Sequence, residues 1–166
     1  SSDQWAKLWG KENGLEVVFN PSSSIYDGRF ANSAWLQEVP DFFTKVAWDN
    51  VASVSPRTAK EFDLHQHGMA AKSKATMMNV TLNGKDITIP VVIQPGQADG
   101  SIGIEIGYGR TVAGRVGGDK DKGVDSVGVD VNPIRSPESN HWLVQTADAG
   151  AVVSTSTESR SGLSQL

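Results

Sequence analysis

The stretch ATMMNVTLNGKDITIPVVI, Ala75 to Ile93, decides the fold class of this chain. Two runs rich in apolar and β-branched residues flank Asn83-Gly84, a dipeptide that accepts the positive φ angles of a two-residue hairpin turn. In the second run Ile87, Ile89, Val91 and Ile93 alternate, so one face of that strand is buried. Downstream, Pro95-Gly96 and Asp99-Gly100 turn the chain, and Ser101 to Ile106 alternates again. Val124 to Val131 is expected as another alternating strand, with Trp142 to Gln145 and Ala151 to Ser154 as late ones. Upstream, Leu15 to Phe19 and Val51 to Val54 read as strands. Ser55-Pro56 predicts an N-cap with proline at the first helical position, opening a short helix through about Phe62. Trp5, Leu8 and Trp9 predict another short helix within Asp3 to Asn13, closed by Gly14. No long amphipathic helix joins successive strands, so a doubly wound parallel sheet is not expected. The pattern fits a mainly β protein, a small barrel with short helices.

The chain has 166 residues, enough for one domain with a real core, and its 38% hydrophobic and 20% charged fractions are those of a globular protein. Its net charge of -4 and scattered Lys and Arg argue against a nucleic-acid grip, which needs a basic face. No run of about 18 apolar residues is present to span a membrane. Ser1-Ser2-Asp3 opens the chain without an export signal, as in a processed chain or an excerpt from a longer one. There is no cysteine, which excludes disulfides, thiolate catalysis and cysteine-ligated zinc or iron–sulfur centres within these residues. From Ser154 to Gln165 the chain is rich in Ser and Thr, as in a tail or linker.

The segment from Ile25 to Asn50 has another character. Tyr26, Phe30, Trp35, Phe42 and Phe43 stand among amides and carboxylates with neither helical nor strand periodicity. Such a segment is expected either to wedge a loop onto the core through its aromatics or to line a pocket. Gly107-Tyr-Gly-Arg-Thr-Val-Ala-Gly-Arg115 invites a phosphate-loop reading but lacks the third glycine of a dinucleotide fingerprint and the Lys-Ser/Thr of a P-loop. Its glycines with Arg110 and Arg115 still offer backbone N–H groups and guanidinium forks to an anion. Asp119 to Asp125 resembles a calcium loop only loosely, and its lysines oppose a cation, so a solvated loop tip is expected. His65-Gln66-His67 lacks further metal ligands, and His141 has no nucleophile elbow near it. Trp35, Trp48 and Trp142 are a candidate sugar-stacking platform. Residue chemistry names no catalytic residue and no metal site.

Three groups of segments carry a family resemblance. They are Ile25-Tyr-Asp-Gly-Arg-Phe-Ala-Asn32 with Trp35 to Pro40, Thr44-Lys45 and Trp48-Asp49-Asn50; Ile93 to Gly100 with Gly107 to Gly117; and Ser55-Pro56 with Thr58-Ala59. Over about residues 15–132 the chain resembles the molybdopterin-oxidoreductase-like iron–sulfur subunit of bacterial alternative complex III, a quinol:cytochrome c or other acceptor oxidoreductase. The matching region of that subunit is similar to the molybdopterin-dinucleotide-binding domain of the dimethyl-sulfoxide-reductase superfamily. The resemblance implies a six-stranded double-psi β-barrel over residues 15–135, after a helical lead-in at 1–14 and before an extension at 136–166. By position it implies Asn32, Trp35, Gln37, Asn50, Gly107, Tyr108 and Arg110 as cofactor-binding candidates for a molybdopterin guanine dinucleotide. It also implies that this subunit has lost the molybdenum cofactor, with its iron–sulfur clusters held in other parts. The expected role is then architectural, within a membrane-associated respiratory complex on the periplasmic face, beside other subunits. A working molybdopterin domain and a carbohydrate-binding barrel are the alternatives. One departure stands out: Asp63-Leu64-His65-Gln66-His67-Gly68-Met69 lacks the family's Gly-Asp turn before the hairpin.

Overall fold

The computed structural model describes residues 15–64, 76–82 and 84–135, with the two-residue strands Gln145–Thr146, Thr155–Ser156 and Ser164–Gln165. The expected helix within Asp3 to Asn13, His65-Gln66-His67, His141 and Trp142 lie outside the described residues. Six strands carry the fold: β1 (Glu16–Pro21), β2 (Val46–Ala47), β3 (Ala52–Val54), β4 (Met77–Leu82), β5 (Lys85–Ile93) and β6 (Ser101–Ile106). The helices are short: α1 (Ala34–Glu38), α2 (Pro56–Glu61) and α3 (Gly114–Gly117).

The main sheet runs β1-β6-β3-β5-β4, with Gln145–Thr146 added at the β1 edge and Thr155–Ser156 at the β4 edge. It is mixed. β1 pairs parallel with β6, β3 lies parallel to β5 but antiparallel to β6, and β4 and β5 form the hairpin. Leu82 faces Lys85 in that hairpin, which is the register a two-residue turn imposes. Pro90 is tolerated inside β5 because of where its missing N–H falls: its β4 partner Met77 is the first residue of that strand, and the pairing with β3 starts one residue later, at Val91. Among the described residues the sheet is open, since β1 and β4 stand at opposite ends of the order.

Alternation supplies one core. Val17 and Phe19 of β1, Ile102 and Ile104 of β6, Ala52 and Val54 of β3, Ile87, Ile89 and Val91 of β5, and Met78, Val80 and Leu82 of β4 belong to a single buried cluster. Residues of all five strands thus belong to one core. Ala59 of α2, Leu64, Val131 and Ile134 complete it. Each Val, Leu, Ile, Phe or Met side chain among them contributes roughly 1.5–3 kcal/mol through burial.

The expected strand at Val124 to Val131 does not form. That segment runs as irregular chain with an isolated bridge from Val124 to Asp119. Instead of a strand partner, the segment meets the Gly109 N–H, which donates to the Val127 carbonyl at 2.7 Å, and the amide of Asn50. Its Nδ2 donates to the carbonyls of Glu105 (3.0 Å) and Val129 (3.1 Å), and its Oδ1 accepts from the Val129 N–H (2.8 Å). One buried side chain therefore ties the end of β6 to the 124–131 segment.

The start of α2 follows the sequence closely. Buried Ser55 accepts from the Thr58 N–H at 3.0 Å and its hydroxyl lies 2.6 Å from Asp99 Oδ1, while Gly100 N–H donates to Thr58 Oγ1 at 2.9 Å. The cap thereby fixes the turn that launches β6. Ser55→Ala is expected to lower stability by about 1–2 kcal/mol, read as a lower urea midpoint at constant slope.

Candidate ligand cleft and its supports

Past β6 the chain turns through Gly107 to Thr111 and lies against the turn at Ile25 to Ala31. Between them, with Asp130, Asn132 and Arg135 on the far side, is a cleft of about 410 Å³. Asp27, Ile106, Tyr108, Gly109, Arg110 and Val112 also line it. The approach of the two turns requires glycine: Gly107 has φ +105, and a Cβ there would stand 2.6 Å from Gly28 N.

The polar groups of the cleft differ in how far they are committed. Arg110 Nη2 donates to the Asp27 carbonyl at 2.8 Å. The Asp27 carboxylate is gripped by Arg29 through Nε (2.9 Å) and Nη2 (2.8 Å), and that side-chain bond holds its carboxyl down at about 2. Asp130 Oδ1 accepts from the Asn132 N–H (3.0 Å) and Nδ2 (2.8 Å). Arg135 donates through Nη1 to Asn132 Oδ1 at 3.1 Å and stands 5.7 Å from the Phe19 ring centroid, yet its buried Nε has no hydrogen-bond partner. An unmet buried donor costs about 1–3 kcal/mol.

Of the seven candidates named from sequence, Gly107, Tyr108 and Arg110 come together at the cleft. Tyr108 is itself buried with Ile25 and Ala31, its hydroxyl 3.5 Å from Ser22 Oγ, and burial pushes its phenol up to about 12. Asn32, Trp35, Gln37 and Asn50 are not among the lining residues. Asn32 Oδ1 accepts from the Val116 N–H at 3.2 Å, bracing α3. Gln37 is 1% exposed; its Nε2 donates to the Ala31 carbonyl at 3.1 Å and its Oε1 has no partner. Trp35 points outward, 83% exposed.

Arg135, Asp130, Asn132 and Asp27 were not legible as site residues. Nothing in the local sequence around Arg135 marks it as the partner of a loop 25 residues earlier, at Arg110. Arg115, paired with Arg110 in the anion reading, is exposed and does not line the cleft. In the loosely calcium-like loop, Asp119 Oδ2 is bonded instead to Lys122 Nζ at 2.7 Å, which holds its carboxyl below the usual range. Among the described residues no group of three or more His, Asp or Glu is gathered for a metal, and no helix is long and apolar enough to cross a membrane.

The aromatics of the Ile25–Asn50 segment do not pin it. Phe42 is 75% and Phe43 71% exposed, edge to face at 5.2 Å, and Tyr26 and Phe30 are exposed as well. The pins are instead buried Ile25, Ala31 and Gln37, with Ser23 Oγ donating to Asp41 Oδ2 (3.1 Å) and Ser24 Oγ to the Val39 carbonyl (3.2 Å). Tyr26, Lys45 and Trp48 take positive φ near +60°, costing about 1–2 kcal/mol each.

A mainly β domain with a polar, arginine-bearing cleft is the class that these features define. Neither a protein-family model nor a curated protein matches the chain. Among solved structures it is similar to acetylene hydratase from Pelobacter acetylenicus, at 19% identity and a TM-score of 0.45, over 76% of this chain. The matched region spans 14% of the length of that protein.

Proposed function

We propose that this chain is an architectural domain of a molybdopterin-oxidoreductase-like electron-transfer protein, holding no redox centre of its own. The observation that carries the reading is the internal use of Asn50. Its amide is committed to the backbone of Glu105 and Val129, which leaves it no free donor for a ligand. Asn32 and Gln37 are likewise turned to loop bracing.

In its finer form the proposal makes the chain part of the iron–sulfur subunit of alternative complex III, on the periplasmic face. Quinol oxidation would run through centres outside these residues, and neighbouring domains and subunits would cover Trp35, Phe42 and Phe43. The sequence resemblance over residues 15–132 supports this. A double-psi barrel is the fold proposed with it, the Asn50-held segment 124–131 taking the position of the sixth strand.

Two observations favour a domain without a whole pterin dinucleotide. The cleft, at about 410 Å³, lies low in the roughly 300–1,000 Å³ span of small-molecule sites, and four of the seven carried-over residues do not line it. Elemental analysis of the full-length protein is expected to find no molybdenum, and iodine oxidation to release no fluorescent pterin. Stoichiometric molybdenum with pterin fluorescence would overturn the architectural reading.

The cleft itself supports a second reading, a site for the phosphate-bearing part of a nucleotide-type ligand. The guanidinium groups of Arg110 and Arg135, which both line the cleft, carry it. Titration calorimetry with guanosine diphosphate is the check: Arg135→Ala is expected to weaken any binding at least about tenfold. Equal affinity in the variant, or no heat with the parent chain, removes this reading and leaves the first.

A further inference from the structure

Without the strands added by the extension after Arg135, the main sheet ends at β1 and β4. The two edges differ in how their sequences discourage a further strand. β1 begins with Glu16 and ends with Pro21, a charge and a residue without an N–H. β4, Met-Met-Asn-Val-Thr-Leu over residues 77–82, holds no charged residue and no proline. Met78, Val80 and Leu82 belong to the core, and Met77, Asn79 and Thr81 alternate with them on the other face. An uncharged edge without proline is the kind that accepts another strand.

The chain meets this edge with its own extension. Thr155–Ser156 pairs antiparallel with β4, Met78 opposite Thr155 and Met77 opposite Ser156. The same extension places Gln145–Thr146 antiparallel to β1 and Ser164–Gln165 antiparallel to β2. The cover on β4 is brief. Its described pairing reaches Met77 and Met78, and Thr81 and Leu82 have no strand neighbour on that side among the described residues.

We propose that the Thr155–Ser156 strand is an exchangeable cap, and that β4 beneath it is an interface for β4 of a second copy of this chain. Antiparallel pairing of two identical strands is closed by a two-fold axis, so each copy offers the other the same donors and acceptors. β4 suits that arrangement: every residue of Met77–Leu82 carries a backbone N–H, and no charge meets its twin. The cap decides when the edge is open. Being tethered to the same chain, it competes at an effective concentration on the order of a millimolar. A more dilute second copy loses to the cap and gains the edge when the cap is lifted.

Sedimentation velocity of the 166-residue chain over a concentration series tests the interface. Consecutive N–H groups of a strand point to opposite sides, so Thr155→Pro with Ser156→Pro removes whichever donor faces β4. This double variant is expected to dimerise at least about tenfold more tightly than the parent chain. Thr155→Gly with Ser156→Gly keeps both donors and only weakens the strand, and is expected to fall between the two. Thr81→Lys added to the proline variant is expected to return it to the parent's behaviour. Residue 81 lies opposite Asp86 in the hairpin, so the new ammonium suits the fold while it charges the edge. Hydrogen exchange is expected to slow over residues 77–82 in the dimer and to stay unchanged over residues 16–21. Equal association in the parent and both cap variants, dimerisation that survives Thr81→Lys, or protection gained on β1 instead of β4 would overturn the proposal.

Discussion

Asn50→Ala is expected to lower the unfolding free energy by about 3–5 kcal/mol, the largest loss of any single side-chain truncation considered for this chain. The change deletes three hydrogen bonds at once and leaves the Glu105 carbonyl and both backbone groups of Val129 without their partner. Each unmet buried polar group costs about 1–3 kcal/mol, and water entering the vacated space recovers some of that. Urea unfolding followed by circular dichroism checks the figure, with a lower midpoint at unchanged slope expected. Asn50→Asp separates the two roles of the amide. Its carboxylate keeps an acceptor for the Val129 N–H but turns a negative oxygen on the Glu105 and Val129 carbonyls. It is expected to recover less than half of the alanine loss. A variant as stable as the parent would show that Asn50 does not hold the 124–131 segment.

The same residue marks the boundary of what could be read from sequence. The hairpin at Asn83-Gly84, the strand Ser101–Ile106 and the Ser55-Pro56 helix start were legible, because each is fixed by local chemistry: turn φ angles, period-two burial, and a side-chain cap. Val124 to Val131 alternates just as clearly. Alternation, however, records which residues face inward and not which groups meet the backbone N–H and C=O, and here a side chain 79 positions away meets both at Val129. The aromatics misled for a related reason. Tyr26, Phe30, Trp35, Phe42 and Phe43 are apolar enough to pin a loop, but small Ala31 and buried Gln37 fit the space under it. The cleft was only half legible. Gly107, Tyr108 and Arg110 form one contiguous motif, whereas Arg135 and Asp27 reach the cleft through tertiary folding alone.

Gly107→Ala is expected to cost about 3–4 kcal/mol, and a control allows that cost to be divided. The residue has φ +105, a backbone region that side chains rarely adopt, and the new Cβ would lie 2.6 Å from Gly28 N, 2.9 Å from Asp27 C and 3.0 Å from Tyr26 O. All three are backbone atoms, so no rotamer change relieves the contact. The turn they belong to cannot simply retreat. Its Gly28 N–H is bonded to the Ile25 carbonyl at 3.0 Å, Tyr26 and Ser22 exchange bonds of 2.9 and 3.1 Å, and Arg110 holds the Asp27 carbonyl. Gly84→Ala supplies the comparison: its φ is +71 and nothing lies within 4 Å of the added Cβ, so it carries conformational strain of about 1–2 kcal/mol with no contact. The excess of Gly107→Ala over Gly84→Ala in parallel urea titrations then measures the backbone clash together with the added strain of φ +105 over +71, expected at about 1–3 kcal/mol. Equal losses at the two positions would mean that the 25–31 turn yields freely to the 107–111 loop. The cleft between them would then be a soft opening, unable to hold Arg110 at a fixed distance from a ligand.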